Sequence, residues 1–145
     1  MQMKQKVKLD YIWLDGYETK NIRNKTKYID LDIIEMDTEG RPSLKKPENV
    51  LRLIPEWSFD GSSTKQADGE DSDLVLRPVR VVRNSLEQFK INSFIVLCEV
   101  VNPDGTPHES NSRYNLIRTI NETNQKHMMF GIEQENTFMN REGNP

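Results

Sequence analysis

The sequence has a single cysteine, Cys98, among 145 residues. That excludes a disulfide within the chain and any cysteine-rich metal framework. No apolar run exceeds a few residues, so no stretch matches a membrane-spanning helix. The only two histidines, His108 and His127, sit near predicted loops, and neither is read as a metal ligand. Alanine occurs once, at Ala67, while Asn, Asp, Ile and Val are frequent, which argues against a helix-rich chain. Neither a Gly-x-x-x-x-Gly-Lys loop nor a Gly-x-Gly-x-x-Gly turn occurs, so a P-loop or Rossmann nucleotide site is not offered. Positive charge is not in surplus: 20 Lys and Arg face 23 Asp and Glu, a net charge of −3. A nucleic-acid binder usually carries a basic excess, so that class is disfavoured. No internal repeat or low-complexity tract is visible.

What remains is a lean globular chain of one-domain size. Apolar residues make up 34% of it, and Leu, Ile, Val and Phe stay above the disordered range. A chain this lean is expected to bury part of its apolar surface against another chain. Residues 1–10 open with a basic stretch (MQMKQKVK) that no apolar segment follows, which rules out a signal peptide. They are expected to form a disordered, solvated tail, in a protein of cytoplasmic setting.

Tyr11 to Leu14 reads as a short strand, followed by an Asp15-Gly16 turn. Residues 22–33 alternate apolar and polar character, which predicts a second strand paired with the first. The polar stretch 35–50, with Gly40, Pro42 and Pro47, reads as a loop or insertion. Residues 60–73 (DGSSTKQADGEDSD) form a loop long enough to suggest function or disorder. Leu74 to Val82 is a strand, with Pro78 marking an edge or a bulge. Ile91 to Val101 contains the clearest strand, Phe94 to Val101, its apolar run predicting burial on both faces. Residues 111–124 are the one credible helix, with Tyr114, Ile117 and Ile120 in step and Ser110 or Asn111 as its cap. Met128 to Met139 reads as a last strand. The pattern predicts an α+β fold: a mixed sheet with one helix covering a face.

Two features carry possible chemistry. On the last strand, Glu133 and Glu135 would share one face roughly 6.5–7 Å apart. Paired carboxylates repel unless a positive charge lies beside them, and hard divalent cations take oxygen ligands. Spacing alone is explained as well by two surface acids on a solvent-facing strand, the commoner case. The second feature is Asp60-Gly61-Ser62-Ser63-Thr64. Asp and Ser side chains bind backbone N–H groups in such a turn. An Asp displayed there can also bind a cation or take a proton. Glu99 could face a site, join an ion pair or stand exposed, and Cys98 reads as core rather than nucleophile.

In combination and in this order, these segments resemble the eukaryotic-type glutamine synthetases. The resemblance rests on Tyr11-Ile12-Trp13-Leu14-Asp15-Gly16, Lys25-Thr26-Lys27 and the run Glu56 to Thr64 (EWSFDGSST). It continues through Asp71-Ser72-Asp73, Leu97-Cys98-Glu99-Val100 and Phe130-Gly131-Ile132-Glu133-Gln134-Glu135, nearly the whole chain. It implies a β-grasp domain over 11–109, with an insertion near 35–50, and over 110–145 the start of a catalytic domain cut short after an isolated strand. It implies an enzyme that joins ammonia to glutamate through γ-glutamyl phosphate at the expense of ATP. Asp60 would then bind ammonium and take its proton, with Gly61, Ser62 and Ser63 as its substrate-binding loop. Glu133 and Glu135 would hold Mg²⁺ or Mn²⁺, and the Asp60 loop would complete a neighbouring subunit's site in a homo-oligomer. Met129 stands where many of these enzymes have Trp, and Asn136 where an aromatic is common. The chain alone is expected to be inactive, since the remaining metal and substrate residues have no counterpart in it. The alternative is a free-standing, non-catalytic β-grasp interaction module.

Overall fold

The computed structural model describes residues 4–36, 38–39, 42–87, 92–125 and 127–144. Its main body is a five-stranded mixed sheet in the order β2-β1-β7-β6-β5. The strands are β1 (Gln5–Leu14), β2 (Ile22–Leu31), β5 (Trp57–Asp60), β6 (Asp73–Arg83) and β7 (Ser93–Val101). β1 runs parallel to β7, and the other pairs are antiparallel. A hairpin of β3 (Ile34–Met36) and β4 (Pro42–Leu44) and a short helix α1 (Pro47–Leu51) connect β2 to β5. Helix α2 (Ser112–Thr123) follows β7.

β1 shows why the sheet forms. Val7, Leu9, Tyr11 and Trp13 alternate along it and are all buried, while the residues between them stay partly exposed. Burying a large apolar side chain contributes roughly 1.5–3 kcal/mol, so this one face anchors the core. The strand therefore begins at Gln5, six residues before Tyr11. The expected disordered tail is thus corrected over residues 5–10; residues 1–3 lie outside the described residues. The lysines there are the polar half of a strand pattern: Lys8 Nζ pairs with Glu87 at 2.7 Å and Asp10 at 3.1 Å.

β6 shifts register between Pro78 and Arg80, the bulge that Pro78 signals. The proline is tolerated because β5 pairs with β6 only as far as Leu76, so the strand has a free edge beyond that point. β7 buries Phe94, Val96, Cys98 and Val100, but Leu97 on the other side is 39% exposed. One face of β7 is core and the other is open, so the predicted two-sided burial is half realised. The 35–50 stretch folds as β3, β4 and α1 rather than as a plain loop, and Val50 enters the core.

Two expectations at the end of the chain are corrected. α2 forms where predicted, capped by Asn111, whose side chain accepts from the Tyr114 N–H at 3.0 Å. It buries none of its residues, and Tyr114, Leu116 and Ile117 stand exposed, so it does not cover the sheet. Its apolar spacing specifies an amphipathic helix without specifying what that face packs on. Residues 128–139 form no strand. They run exposed and unpaired, because a strand needs a ladder partner and the described residues provide none. No helix among the described residues is long and apolar enough to cross a membrane.

Gly16 is where chain packing leaves no room for a side chain. A Cβ there would lie 1.9 Å from the Lys65 carbonyl oxygen, a backbone atom that cannot swing aside. Gly16→Ala is expected to lower unfolding free energy by at least about 2 kcal/mol in urea denaturation. Gly69→Ala, where a Cβ meets nothing within 4 Å, is expected to stay within about 0.5 kcal/mol of the parent.

Candidate functional site

Asp60 ends β5 and caps a tight 3₁₀ turn over Gly61–Thr64. The Ser62 N–H and hydroxyl both donate to Asp60 Oδ1, at 2.9 and 2.6 Å, and the Ser63 hydroxyl donates to the Asp60 carbonyl at 2.9 Å. The Ser62 hydroxyl, the Ser62 N–H and the Ser72 hydroxyl, in that order, hold the carboxyl below the usual carboxylate range against a smaller opposing effect of burial. Asp60 is nonetheless exposed. The turn thus presents an ionised carboxylate to solvent in a fixed orientation.

The turn is held from behind. The Gly61 N–H donates to Ser72 O at 2.7 Å, and the Gln66 N–H to Gly61 O at 2.8 Å. A Cβ on Gly61 would meet Leu74 Cδ1 at 2.7 Å and Ala67 Cβ at 3.0 Å, so the turn sits tightly against β6 and a side chain there would force Leu74 to shift. The Gly16 N–H donates to Thr64 O at 2.9 Å and ties the turn to the end of β1. Buried Gln66 extends that tie, its amide donating to Leu14 O at 3.2 Å and Ser110 Oγ at 2.7 Å. Beside it, Asp15 is fully buried. Burial pushes its carboxyl up, but donation from the Asn21 backbone and amide and the Tyr17 N–H, with Arg23 nearby, holds it below the usual range. Gly16 and Gln66 are the supporting residues that sequence reasoning missed. The Asp15-Gly16 pair was legible only as a turn, and nothing local ties Gln66 to Leu14, 52 residues away.

The other candidates sort as follows. Glu133 and Glu135 lie on the exposed, unpaired segment, so the shared strand face predicted for them is not formed. Two carboxylates suit a hard divalent cation by donor type, with its other ligands to come from water, substrate phosphate or further protein groups. No group of three or more His, Cys, Asp or Glu that could hold a metal occurs among the described residues. Glu99 pairs with Arg113 at 3.4 Å. His108 Nδ1 lies 2.9 Å from Ser110 Oγ, and His127 is exposed. Cys98 is buried, and burial pushes its thiol up to about 12, consistent with an inert core residue.

No protein-family profile matches the chain. Individual curated proteins do. It is 37% identical over 145 residues to a glutamine synthetase of Tuber borchii, covering 100% of this chain and 35% of that protein. It is 42% identical over 132 residues to a glutamine synthetase of Streptomyces viridochromogenes, covering 90% of this chain and 34% of that protein. The chain is related to the glutamine synthetases. The human glutamine synthetase is 36% identical over 141 residues, 97% of this chain. The chain spans about a third of the length of the glutamine synthetases it matches.

The hydrogen bonds from Ser62 dominate the Asp60 environment, so Ser62→Ala is expected to move the Asp60 pKa up toward the ordinary carboxylate value. Carboxyl-carbon NMR across a pH titration reads this directly, and an unmoved value would rule out Ser62 as the cause. The depressed folded-state pKa also sets a sign. Asp60 stabilises the fold above the ordinary carboxylate pKa, and that contribution is lost as pH falls through the lower folded-state value.

Proposed function

We propose that the chain acts as the N-terminal portion of a glutamate–ammonia ligase. In this reading residues 5–109 form the β-grasp domain, including the connection around 35–50, and residues 110–144 begin the catalytic domain. The observation that carries it is the Asp60 turn: an exposed, ionised carboxylate on a backbone that two glycines and Gln66 hold in place. That arrangement suits a small cation, and ammonium is the one the reaction uses.

Asp60 first attracts NH₄⁺ and orients it through the carboxylate oxygens. It then accepts a proton, freeing the NH₃ lone pair to attack the γ-carbonyl of γ-glutamyl phosphate with loss of phosphate. A carboxylate held below its usual pKa is a weak base, so it favours the binding step and yields the proton readily to solvent. Ser62 keeps the carboxylate aimed outward while Ser63 holds the Asp60 backbone carbonyl, and the exposure of Asp60 fits a loop that reaches a neighbouring subunit's site in a homo-oligomer. Glu133 and Glu135 would supply two of the oxygen ligands for Mg²⁺ or Mn²⁺, with the remaining ligands drawn from the rest of the enzyme's length. A bound divalent cation would neutralise charge on the phosphate of ATP. The exposed apolar side chains of α2 and residues 128–139 would be covered by that same remainder.

Two measurements test this. The purified 145-residue chain, given glutamate, ATP, hydroxylamine and Mg²⁺, is expected to form no γ-glutamyl hydroxamate. A chimera carrying residues 5–144 in place of the matching segment of the Tuber borchii relative is expected to be active. Its Asp60→Asn variant is expected to lose about 10²–10⁴-fold in kcat, and Glu133→Gln to raise the Mg²⁺ requirement. A folded chimera without activity would favour the interaction-module reading, and an active one indifferent to Asp60→Asn would remove Asp60 from the chemistry.

A further inference from the structure

β2 and β5 are the two edges of the five-stranded sheet, yet side chains of β2 reach the β5 segment. Arg23, Lys25 and Lys27 alternate along β2 and so share one face. Lys25 Nζ donates to Ser58 O at 2.9 Å, and Arg23 Nη2 lies 3.4 Å from Ser63 O. Lys25 and Lys27 stand over the Trp57 ring, 3.8 and 4.9 Å from its centroid. Between the two edges is an open pocket of about 240 Å³, with Trp13, Arg23, Lys25, Phe59, Asp60 and Ser63 in its lining.

These cations are poorly matched by acids. Arg23 is 4.0 Å from Asp15, whose oxygens already accept from Asn21 and Tyr17. Its contact with Ser63 is beyond the usual N–H···O range, so most of its five donors have no acceptor among the described residues. Lys25 and Lys27 pair with no carboxylate among the described residues, and the two ammonium groups repel each other across Trp57. The one acid in the lining, Asp60, has its carboxylate engaged by Ser62. The lining thus carries two positive charges, a guanidinium fork and an ammonium, against the one negative charge of Asp60, and is net positive. A guanidinium fork matches two oxygens of a carboxylate or phosphate. The volume lies below that of pockets for drug-sized ligands and suits a small ion.

We propose that the gap between β2 and β5 binds a small oxyanion of phosphate or carboxylate type, held by Arg23 and Lys25. The occupant bridges the two sheet edges beside Ser63 and so braces the Asp60 turn. This rests on the pocket's geometry and charge, independently of the ligase reading. Trp13 and Trp57, the chain's two tryptophans, make the site self-reporting, one lining the pocket and one beneath Lys25.

The test is a titration of the full chain with inorganic phosphate at constant ionic strength, balanced with chloride, followed by tryptophan fluorescence and backbone amide shifts. A saturable response confined to residues 23–25 and 58–64 is expected, with acetate as the planar carboxylate arm. Arg23→Gln and Lys25→Gln are each expected to weaken phosphate binding at least fivefold, and Lys25→Arg to retain it. Circular dichroism checks the fold, and if Arg23→Gln fails to fold, the Lys25 pair decides. Sedimentation in the same samples separates two sources of the oxyanion. A monomer throughout points to a free ion, and a dimer that phosphate dissociates points to an acidic side chain of a second copy; either retains the pocket. A phosphate response identical to that of chloride, or variants binding as tightly as the parent, overturns it.

Discussion

Tyr11 and Trp13 leave β1 on the buried side and meet β5, which is not a neighbour of β1 in the sheet. Tyr11 packs edge-on against Trp57 with ring centroids 5.4 Å apart, and Trp13 packs against Phe59 at 4.9 Å. The Tyr11 hydroxyl donates to Pro55 O at 2.8 Å, just ahead of β5. This aromatic contact spans β7 and β6 and joins the two halves of the curled sheet. Ring pairs of this kind contribute about 0.5–1.5 kcal/mol beyond their burial, and here they also set a direction. Because β5 is held against β1, the turn that follows β5 falls beside the end of β1, where Gly16 and Gln66 secure it.

The same contact brings the far edges within reach of each other. β2 lies beyond β1 and β5 beyond β6, and a flat sheet would hold them apart. With the curl, Lys25 reaches Ser58, Arg23 approaches Ser63, and the basic side of β2 faces the Asp60 turn. Lysines on an edge strand commonly discourage pairing with other chains. On β2 they also cover the free edge of β5, a role that depends on the curl.

Much of this was legible locally. The alternation of Ile22 to Leu31, the bulge at Pro78, the Asn111 cap and the core placement of Cys98 follow from period, ring chemistry or side-chain size within a few residues. The Asp60 turn was legible as a turn because Asp, Gly and Ser bind their own backbone. The opening of β1 is not legible because its lysines have the composition of a solvated tail; the pairing of Lys6 with Asp30 and of Lys8 with Glu87 and the burial of Val7 and Leu9 are tertiary facts. The segment expected as a last strand shows the opposite case. Residues 128–139 have strand composition, but a strand is defined by its partner, and composition does not supply one.

By itself, then, the sequence determined which residues are candidates for chemistry and to which enzymes the chain is related. Asp60 with its serines and the Glu133–Glu135 pair are short-range strings, readable as candidates because their groups stand at fixed spacing in the chain. Tertiary structure decided what those groups can do. It placed Asp60 on a supported turn with its carboxyl held low, and it left Glu133 and Glu135 on an exposed segment. It also turned two cations of β2, Arg23 and Lys25, into one wall of a pocket. The physical reason is range: hydrogen bonds within a turn connect neighbours in the chain, whereas burial and charge depend on what folding brings from far along it.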